Sequence, residues 1–340
     1  MNKNIINAVE LPRIINVENN MYCAAFDLMK LLPARHMIEN AVKDKLINKD
    51  TIIIETSSGT FALGLAMVCN LYKYKLIIVS DPVIDDSLRR RLEDLGTRVE
   101  IVDKEHPQKG FQGARLEKVN EFLKMYPNSF WTNQYDNHNN SDAYADVAEL
   151  LVKEVGEIDA VIGSVGSGGS MSGVCKYLKK VFKDLYVIGV DTNGSVLFGQ
   201  KNSSRQLRGL GNSIMPKNLD HTLFNEVHWI EAAHAYRETR LLHEQYALFM
   251  GGTSGAAFAV AKWYHHNNPE KRIVVLLPDK GYRYQDTIYN DQWLKDNGLW
   301  IDELPVSPNL VKTPREAQDQ GGWNRMLWNN RPYEDVVKEN

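Results

Sequence analysis

The chain is poor in the features that mark several common functions. Cysteine is scarce: 340 residues contain three, Cys23, Cys69 and Cys175. They are widely spaced in apolar surroundings, which argues against a disulfide framework or a cysteine zinc site and predicts buried thiols in a reducing compartment. A basic excess is missing too. Forty Lys and Arg against 43 Asp and Glu leave a net charge of −3, which offers no electrostatic footprint for nucleic acid. No apolar run approaches the roughly 18–20 residues of a membrane span. Met1-Asn2-Lys3-Asn4 does not lead into the apolar core of a signal peptide. The nine histidines show no HExxH or comparable metal-ligand spacing. The expectation is a cytoplasmic protein with no metal site and no membrane or nucleic-acid partner. The composition that remains, 43% apolar and 24% charged, is that of a globular chain long enough for two domains.

Apolar, β-rich runs alternate with amphipathic helical patterns. Strands are expected at Met21–Phe26, Thr51–Glu55, Lys75–Ser80, Arg98–Asp103, Ser129–Thr132, Asp159–Val165, Tyr186–Asp191, Val227–Glu231 and Arg272–Leu277. Helices are expected at Ala34–Lys45, Thr60–Leu71, Asp85–Leu95, Gly113–Met125, Ala143–Glu154 and Ala232–Gln245. Strictly alternating runs imply parallel sheets covered on both faces. Nine strands are more than one doubly wound sheet holds comfortably, so two α/β lobes are expected. Ligands in such folds bind beyond the carboxyl ends of strands. After Pro305 the chain turns polar and then carries Trp323, Met326, Leu327 and Trp328, a pattern for a segment packed on a body or a partner.

One loop stands out. Gly166-Ser167-Gly168-Gly169-Ser170 joins the Asp159–Val165 run to the helical pattern that begins at Met171. A strand, a glycine-rich turn and a helix N-terminus converge backbone N–H groups on an anion, and the helix dipole favours a phosphate. A ligand-free βα turn is the plain alternative, less favoured with five small residues in a row. A dinucleotide reading is also open: Gly166-x-Gly168 follows a strand, and Asp191 ends the next one where a ribose-binding acid would lie. Met171 stands where the third glycine of that fingerprint belongs.

Four further loops bear on the choice. They are Thr132-Asn133-Gln134-Tyr135-Asp136-Asn137, Arg208-Gly209-Leu210-Gly211, Gly252-Thr253-Ser254-Gly255-Ala256 and Leu277-Pro278-Asp279-Lys280-Gly281-Tyr282-Arg283-Tyr284. With Gly166–Ser170 they form an ordered set that resembles the cysteine synthase family of pyridoxal-phosphate enzymes, the fold-type II group that includes tryptophan synthase β. The resemblance covers about residues 8 to 290. It implies an α/β fold of two doubly wound lobes with mostly parallel sheets. The expected division is a smaller domain at 36–147, a larger cofactor domain at 1–35 and 148–300, and an extension at 301–340.

The resemblance also assigns roles. Gly166, Ser167, Gly168, Gly169 and Ser170 match the family's Gly-(Ser/Thr)-Gly-Gly-(Ser/Thr) run that holds the 5′-phosphate of pyridoxal 5′-phosphate. Met37-Ile38-Glu39-Asn40-Ala41 matches the helix that follows the family's Schiff-base lysine, and counting back gives Lys30. It is the only lysine between Lys3 and Lys43 and has apolar neighbours, as suits a desolvated, deprotonatable amine. Ser57, Ser58, Gly59 and Thr60 replace the family's Thr-Ser-Gly-Asn substrate loop; with Gln134 and Gly209 they are the expected substrate-binding residues, although an N-cap serine would read the same way. Thr60 stands where an asparagine contacts the ring oxygen, and Phe61 replaces a threonine. Lys280 stands where a serine faces the pyridine nitrogen; a cation there disfavours protonating the ring and suits chemistry at Cβ, unless Lys280 points to solvent.

The implied activity is β-replacement on a small amino acid, an O-acetyl- or O-phosphoserine, through an aminoacrylate. The product is cysteine or a non-protein amino acid such as a diaminopropionate precursor. A β-eliminating lyase acting on serine or cysteine is the alternative within the same cofactor class; a nicotinamide oxidoreductase and a non-catalytic binding protein lie further off. The family implies a homodimer.

Overall fold

The structure is a computed structural model and describes residues 3–107 and 110–338. Twelve strands are present among them. In chain order the first six are β1 (Arg13–Glu18), β2 (Met21–Ala25), β3 (Ile52–Thr56), β4 (Lys75–Ser80), β5 (Arg98–Ile101) and β6 (Ser129–Trp131). They are followed by β7 (Ala160–Ser164), β8 (Tyr186–Asp191), β9 (Glu226–Trp229), β10 (Ile273–Leu277), β11 (Asn309–Leu310) and β12 (Asn324–Leu327). All nine expected strands are among these. β1, β11 and β12 are additions.

The chain separates into two compact units. The smaller comprises residues 1–10 and 28–143, the larger 11–27 and 144–340. These limits differ from the expected 36–147. Residues 28–35 go with the smaller unit because the helix Leu31–Lys43 turns Leu31, Ala34, Met37, Ile38 and Ala41 into its core. The first residues go with it as well, since Ile6 packs in the same cluster.

The smaller unit is built on a four-stranded sheet of order β5-β4-β3-β6, parallel throughout. Its central strands read Ile-Ile-Ile-Glu-Thr and Lys-Leu-Ile-Ile-Val-Ser and are almost wholly buried, as expected of strands covered on both faces. Helices Leu31–Lys43 and Thr60–Tyr72 pack on one apolar cluster, and Val119 and Phe122 of helix Gly110–Met125 belong to another.

The larger unit has eight strands in the order β1-β2-β10-β7-β8-β9-β12-β11. The middle five, from β2 to β9, are parallel. They are bracketed by the antiparallel additions β1 and β12. β12 brings the segment after Pro305 into the sheet itself. Trp323 and Trp328 are buried there, and Trp328 packs edge-on against Phe198 at 5.1 Å. A polar network ties the addition down. The Glu226 carboxylate accepts from Tyr186 Oη (2.9 Å) and Arg325 NH1 (3.2 Å). His228 Nδ1 accepts from Trp323 Nε1 at 3.1 Å, so its Nε2–H donates to Glu226 at 2.8 Å. Cys23, Cys69 and Cys175 are free and buried. Among the described residues no helix is long and apolar enough to cross a membrane.

Candidate active site

In the smaller unit Ser57, Gln134 and Arg115 lie by the carboxyl ends of β3 and β4, and Lys30 lies against the helix that follows β3. Lys30 immediately precedes the helix Leu31–Lys43. It is half-buried, and desolvation of its ammonium lowers the pKa from 10.5 to about 8. The neutral amine is therefore reached at a lower pH than for an exposed lysine. Gly64 of helix Thr60–Tyr72 lies against its backbone: a Cβ at Gly64 would come 2.9 Å from the Lys30 carbonyl oxygen and 3.2 Å from Leu31 Cα. Only a glycine lets this helix approach the lysine so closely, so the helix that follows the Ser57–Gly59 turn packs directly on the lysine's backbone.

That helix begins at Thr60 with Gly59 as its N-cap, and no side chain caps it. A serine cap is thus not what this loop supplies. Ser57 Oγ instead accepts from Gly59 N at 3.2 Å, and Ser57 N donates to the Val79 carbonyl at the end of β4 (3.2 Å). The first-turn N–H groups face no capping side chain, as a site for a substrate carboxylate requires. Ser58, Gly59 and Thr60 are partly exposed, whereas Phe61 is 2% exposed and belongs to the apolar core. The departure from the family's threonine therefore fills the interior.

Glu55, the penultimate residue of β3, organises the neighbouring segment. Its buried carboxylate accepts from Thr132 Oγ1 (2.6 Å), Thr56 N (2.6 Å) and Gln134 N (3.1 Å). Burial nevertheless raises its pKa against those bonds. Gln134 Nε2 donates to the Thr56 carbonyl at 3.2 Å, and Asn140 Nδ2 donates to the Gln134 carbonyl at 2.6 Å. The structure thus brings Gln134 to Thr56, at the start of the Ser57–Thr60 loop. Arg115 was invisible to sequence reasoning. It comes from helix Gly110–Met125, is 11% exposed, and pairs with Asp81 just past β4 at 3.4 Å. Half-buried Tyr135 shares this rim; burial raises its pKa, and Arg115 opposes the shift. Nothing local in the sequence around Gly113-Ala114-Arg115 signals a site; only the fold brings the guanidinium to the strand ends.

In the larger unit Gly166–Ser170 form the expected turn after β7. Helix Gly169–Val181 starts there with Gly168 as N-cap, again without a side-chain cap. Gly168 has φ +80°, and a Cβ on it would meet Leu219 Cα at 2.7 Å. A Cβ on Gly166 would approach the Gly209 carbonyl oxygen to 3.1 Å, and one on Gly209 would approach Thr253 Cγ2 to 3.3 Å. Backbone packed this tightly, with Ser167 and Ser170 buried beside uncapped N–H groups, suits a phosphate. A desolvated lysine and an anion cradle are the two features a phosphate-bearing aldehyde needs, so the residues present fit the implied cofactor.

Lys280 precedes the short turn Gly281–Tyr284. Its Nζ lies 3.8 Å from Asp27 Oδ1, which is also held by Arg13 at 2.9 Å. Burial lowers the Lys280 pKa and Asp27 opposes the shift. Next to it, burial pushes the Asp279 carboxyl up to about 6, opposed by Arg283 and by Tyr284 Oη, which donates to it at 2.8 Å. Asp191, the residue a dinucleotide site would have used, is fully buried.

Comparison with known proteins identifies the family and the fold. A family profile described as "Pyridoxal-phosphate dependent enzyme" matches residues 29–279. The chain is 35% identical over 291 residues, 84% of each sequence, to an N-(2-amino-2-carboxyethyl)-L-glutamate synthase of Cupriavidus metallidurans. Among solved structures it resembles a hydrogen sulfide-producing enzyme of Fusobacterium nucleatum, with TM-score 0.76, 30% identity, and coverage of 84% of this chain and 100% of the other. It also shares the fold of an O-acetylserine sulfhydrylase from Entamoeba histolytica, with TM-score 0.78, 23% identity, and coverage of 89% and 97%.

Proposed function

The chain belongs to the pyridoxal-phosphate-dependent enzyme family, and from that premise we propose that it performs cysteine synthase-type β-replacement on an activated serine, with an amine as the nucleophile. The observation that carries the reading is Lys30, a half-buried amine with its pKa pushed down to about 8, in a chain that also carries the anion cradle. The amine nucleophile is read from the Cupriavidus relative. Its named product is glutamate whose nitrogen bears a 2-amino-2-carboxyethyl group, the three-carbon skeleton of serine joined at Cβ.

Bound pyridoxal phosphate supplies an electron sink conjugated to the Cα of the amino acid. Lys30 is its covalent anchor. The backbone of Gly166–Ser170, with the hydroxyls of Ser167 and Ser170, holds the phosphate, and Gly209 packs against that cradle. The first-turn N–H groups from Thr60 onward, which no side chain caps, orient the substrate carboxylate with Ser57, Ser58, Gly59 and Gln134. The substrate's amino group takes the place of Lys30 in that covalent link, and the released Nζ takes the proton from Cα. The Cβ–O bond then breaks, and its electron pair leaves with acetate or phosphate. The nucleophile's nitrogen forms the new bond to Cβ and gives up its surplus proton to the departed acetate or phosphate, and the lysine returns its proton to Cα. Arg115 gives the same rim a cation for an anionic substituent, whether a phosphate leaving group or a second carboxylate.

A second reading has a specific basis in the sulfide-producing Fusobacterium enzyme. There Lys30 would take the same proton, and no nucleophile would follow. Purified protein is incubated with O-acetylserine or O-phosphoserine, with and without glutamate, and with cysteine alone. The mass of an amine adduct at Cβ supports replacement. Pyruvate and ammonia or sulfide without an adduct overturn replacement in favour of elimination. We read the assembly as a cytoplasmic homodimer on family grounds, checked by light scattering in solution.

A further inference from the structure

Asp191 is a buried acidic residue without a part in that chemistry. Asp191 closes β8 and is fully buried. Its Oδ1 accepts from Thr192 N at 2.8 Å, and its Oδ2 has no hydrogen-bond partner among the described residues. Burial raises the carboxyl to about 7, against the Thr192 amide, the Ser195 hydroxyl and Arg205. A carboxyl kept at this depth costs stability, which asks what it holds in place.

Gly211 is packed on it. A Cβ at Gly211, whose φ is +73°, would lie 3.0 Å from Asp191 Oδ1 and 2.8 Å from Ser195 Cβ. The surrounding loop is stitched on several sides. Gly211 N donates to the Val165 carbonyl at 2.9 Å, immediately before the cradle, and Val196 N donates to the Asn212 carbonyl at 3.0 Å. Asn212 N donates to Ser195 Oγ at 3.1 Å. The near end of the same loop meets the cradle, where the Gly209 carbonyl closes on Gly166. A buried carboxyl thus sits at the foot of a five-residue stretch, Arg208–Asn212, whose other end touches the phosphate turn.

We propose that Asp191 is a positioning residue which, with Ser195, holds the Arg208–Asn212 loop against the phosphate cradle and so sets how firmly the cofactor is retained. This rests on the reading of Gly166–Ser170 as the cofactor's phosphate site. Asp191 acts through Gly211 and Ser195 and leaves proton transfer to Lys30.

The test uses cofactor-loaded protein and three variants, Asp191→Asn, Asp191→Ala and Ser195→Ala. Three quantities are read: the rate of cofactor loss on dilution, the 31P resonance of the bound phosphate, and the melting temperature of the cofactor-free protein. Asp191→Ala and Ser195→Ala are expected to lose cofactor about tenfold faster, as for a lost hydrogen bond to a charged group, and to shift the 31P line. Asp191→Asn keeps the Oδ1 acceptor and is expected to restore most of the retention. If Asp191→Ala does not fold, Ser195→Ala carries the test alone. Wild-type release rates and an unmoved 31P line in the alanine variants overturn the proposal. Wild-type protein that binds no cofactor at all overturns the cradle reading instead, a separate failure visible before any variant is made.

Discussion

Of the described helices that begin at a glycine with no capping side chain, Gly169–Val181 and Thr60–Tyr72 differ in what surrounds that glycine. Gly168 opens helix Gly169–Val181 at positive φ, and a Cβ there would collide with the backbone of Leu219. Gly59 opens helix Thr60–Tyr72 at φ −140°, and a Cβ there would meet nothing within 4 Å. The first mouth is closed by its own packing, as suits a group that never changes, a phosphate. The second opens on unfilled space, as suits a carboxylate whose side chain differs from substrate to substrate. The departures from the family pattern fall on the same side. Gly166–Ser170 match it throughout, while Thr60 and Phe61 do not.

Removing Lys30, the proposed covalent anchor, sharpens the contrast most. Lys30→Ala is expected to lower kcat/KM by roughly 10²–10⁴-fold and to abolish the lysine–cofactor bond trapped by borohydride. Cofactor should still bind at the closed mouth, seen by equilibrium dialysis. In the wild-type protein covalent capture needs the neutral amine. Because burial lowers this pKa to about 8, stopped-flow capture rates should be flat above that pH and fall with each unit below it. Gly168→Ala attacks the closed mouth directly. Strain at positive φ and overpacking against Leu219 together should cost about 2–4 kcal/mol in denaturant unfolding, with loss of cofactor retention. If this variant keeps both, the two mouths are not different in kind. Arg115→Gln probes the open side: KM for an anionic substrate should rise about 10–100-fold with cofactor binding intact. Gly59→Ala should do least, moving stability within about 0.5 kcal/mol while shifting KM; a collapse of folding would break the comparison from the other end.

Much of the architecture was legible because buried parallel strands are continuous apolar runs. Thr51–Glu55 and Arg272–Leu277 announce themselves this way, each within a residue of the observed β3 and β10. The strands that escaped notice are additions at the sheet's two ends. β1 reads Arg-Ile-Ile-Asn-Val-Glu and β12 reads Asn-Arg-Met-Leu, with polar residues that leave no continuous apolar run to read. The candidate site was legible where chemistry sits in one loop after a strand, as at Ser57–Thr60 and Gly166–Ser170. Arg115, Gly64 and the setting of Asp191 were not. Each matters through a neighbour remote in sequence: Asp81 for Arg115, Lys30 for Gly64, Gly211 for Asp191. Spacing along the chain carries no trace of such pairs.

The larger unit's sheet also has an order of assembly. β2 pairs in register with β10, Met21 against Ile273, while the smaller unit draws its four strands from residues 52–131. During synthesis the smaller unit therefore has all its strands while β2, an apolar segment reading Met-Tyr-Cys-Ala-Ala, still lacks that neighbour. Long-range parallel pairing of this kind forms late and slowly. β1 can cover one side of that segment early, but its other edge stays unpaired until the chain has grown past Ile273, the kind of strand edge through which partly made chains aggregate.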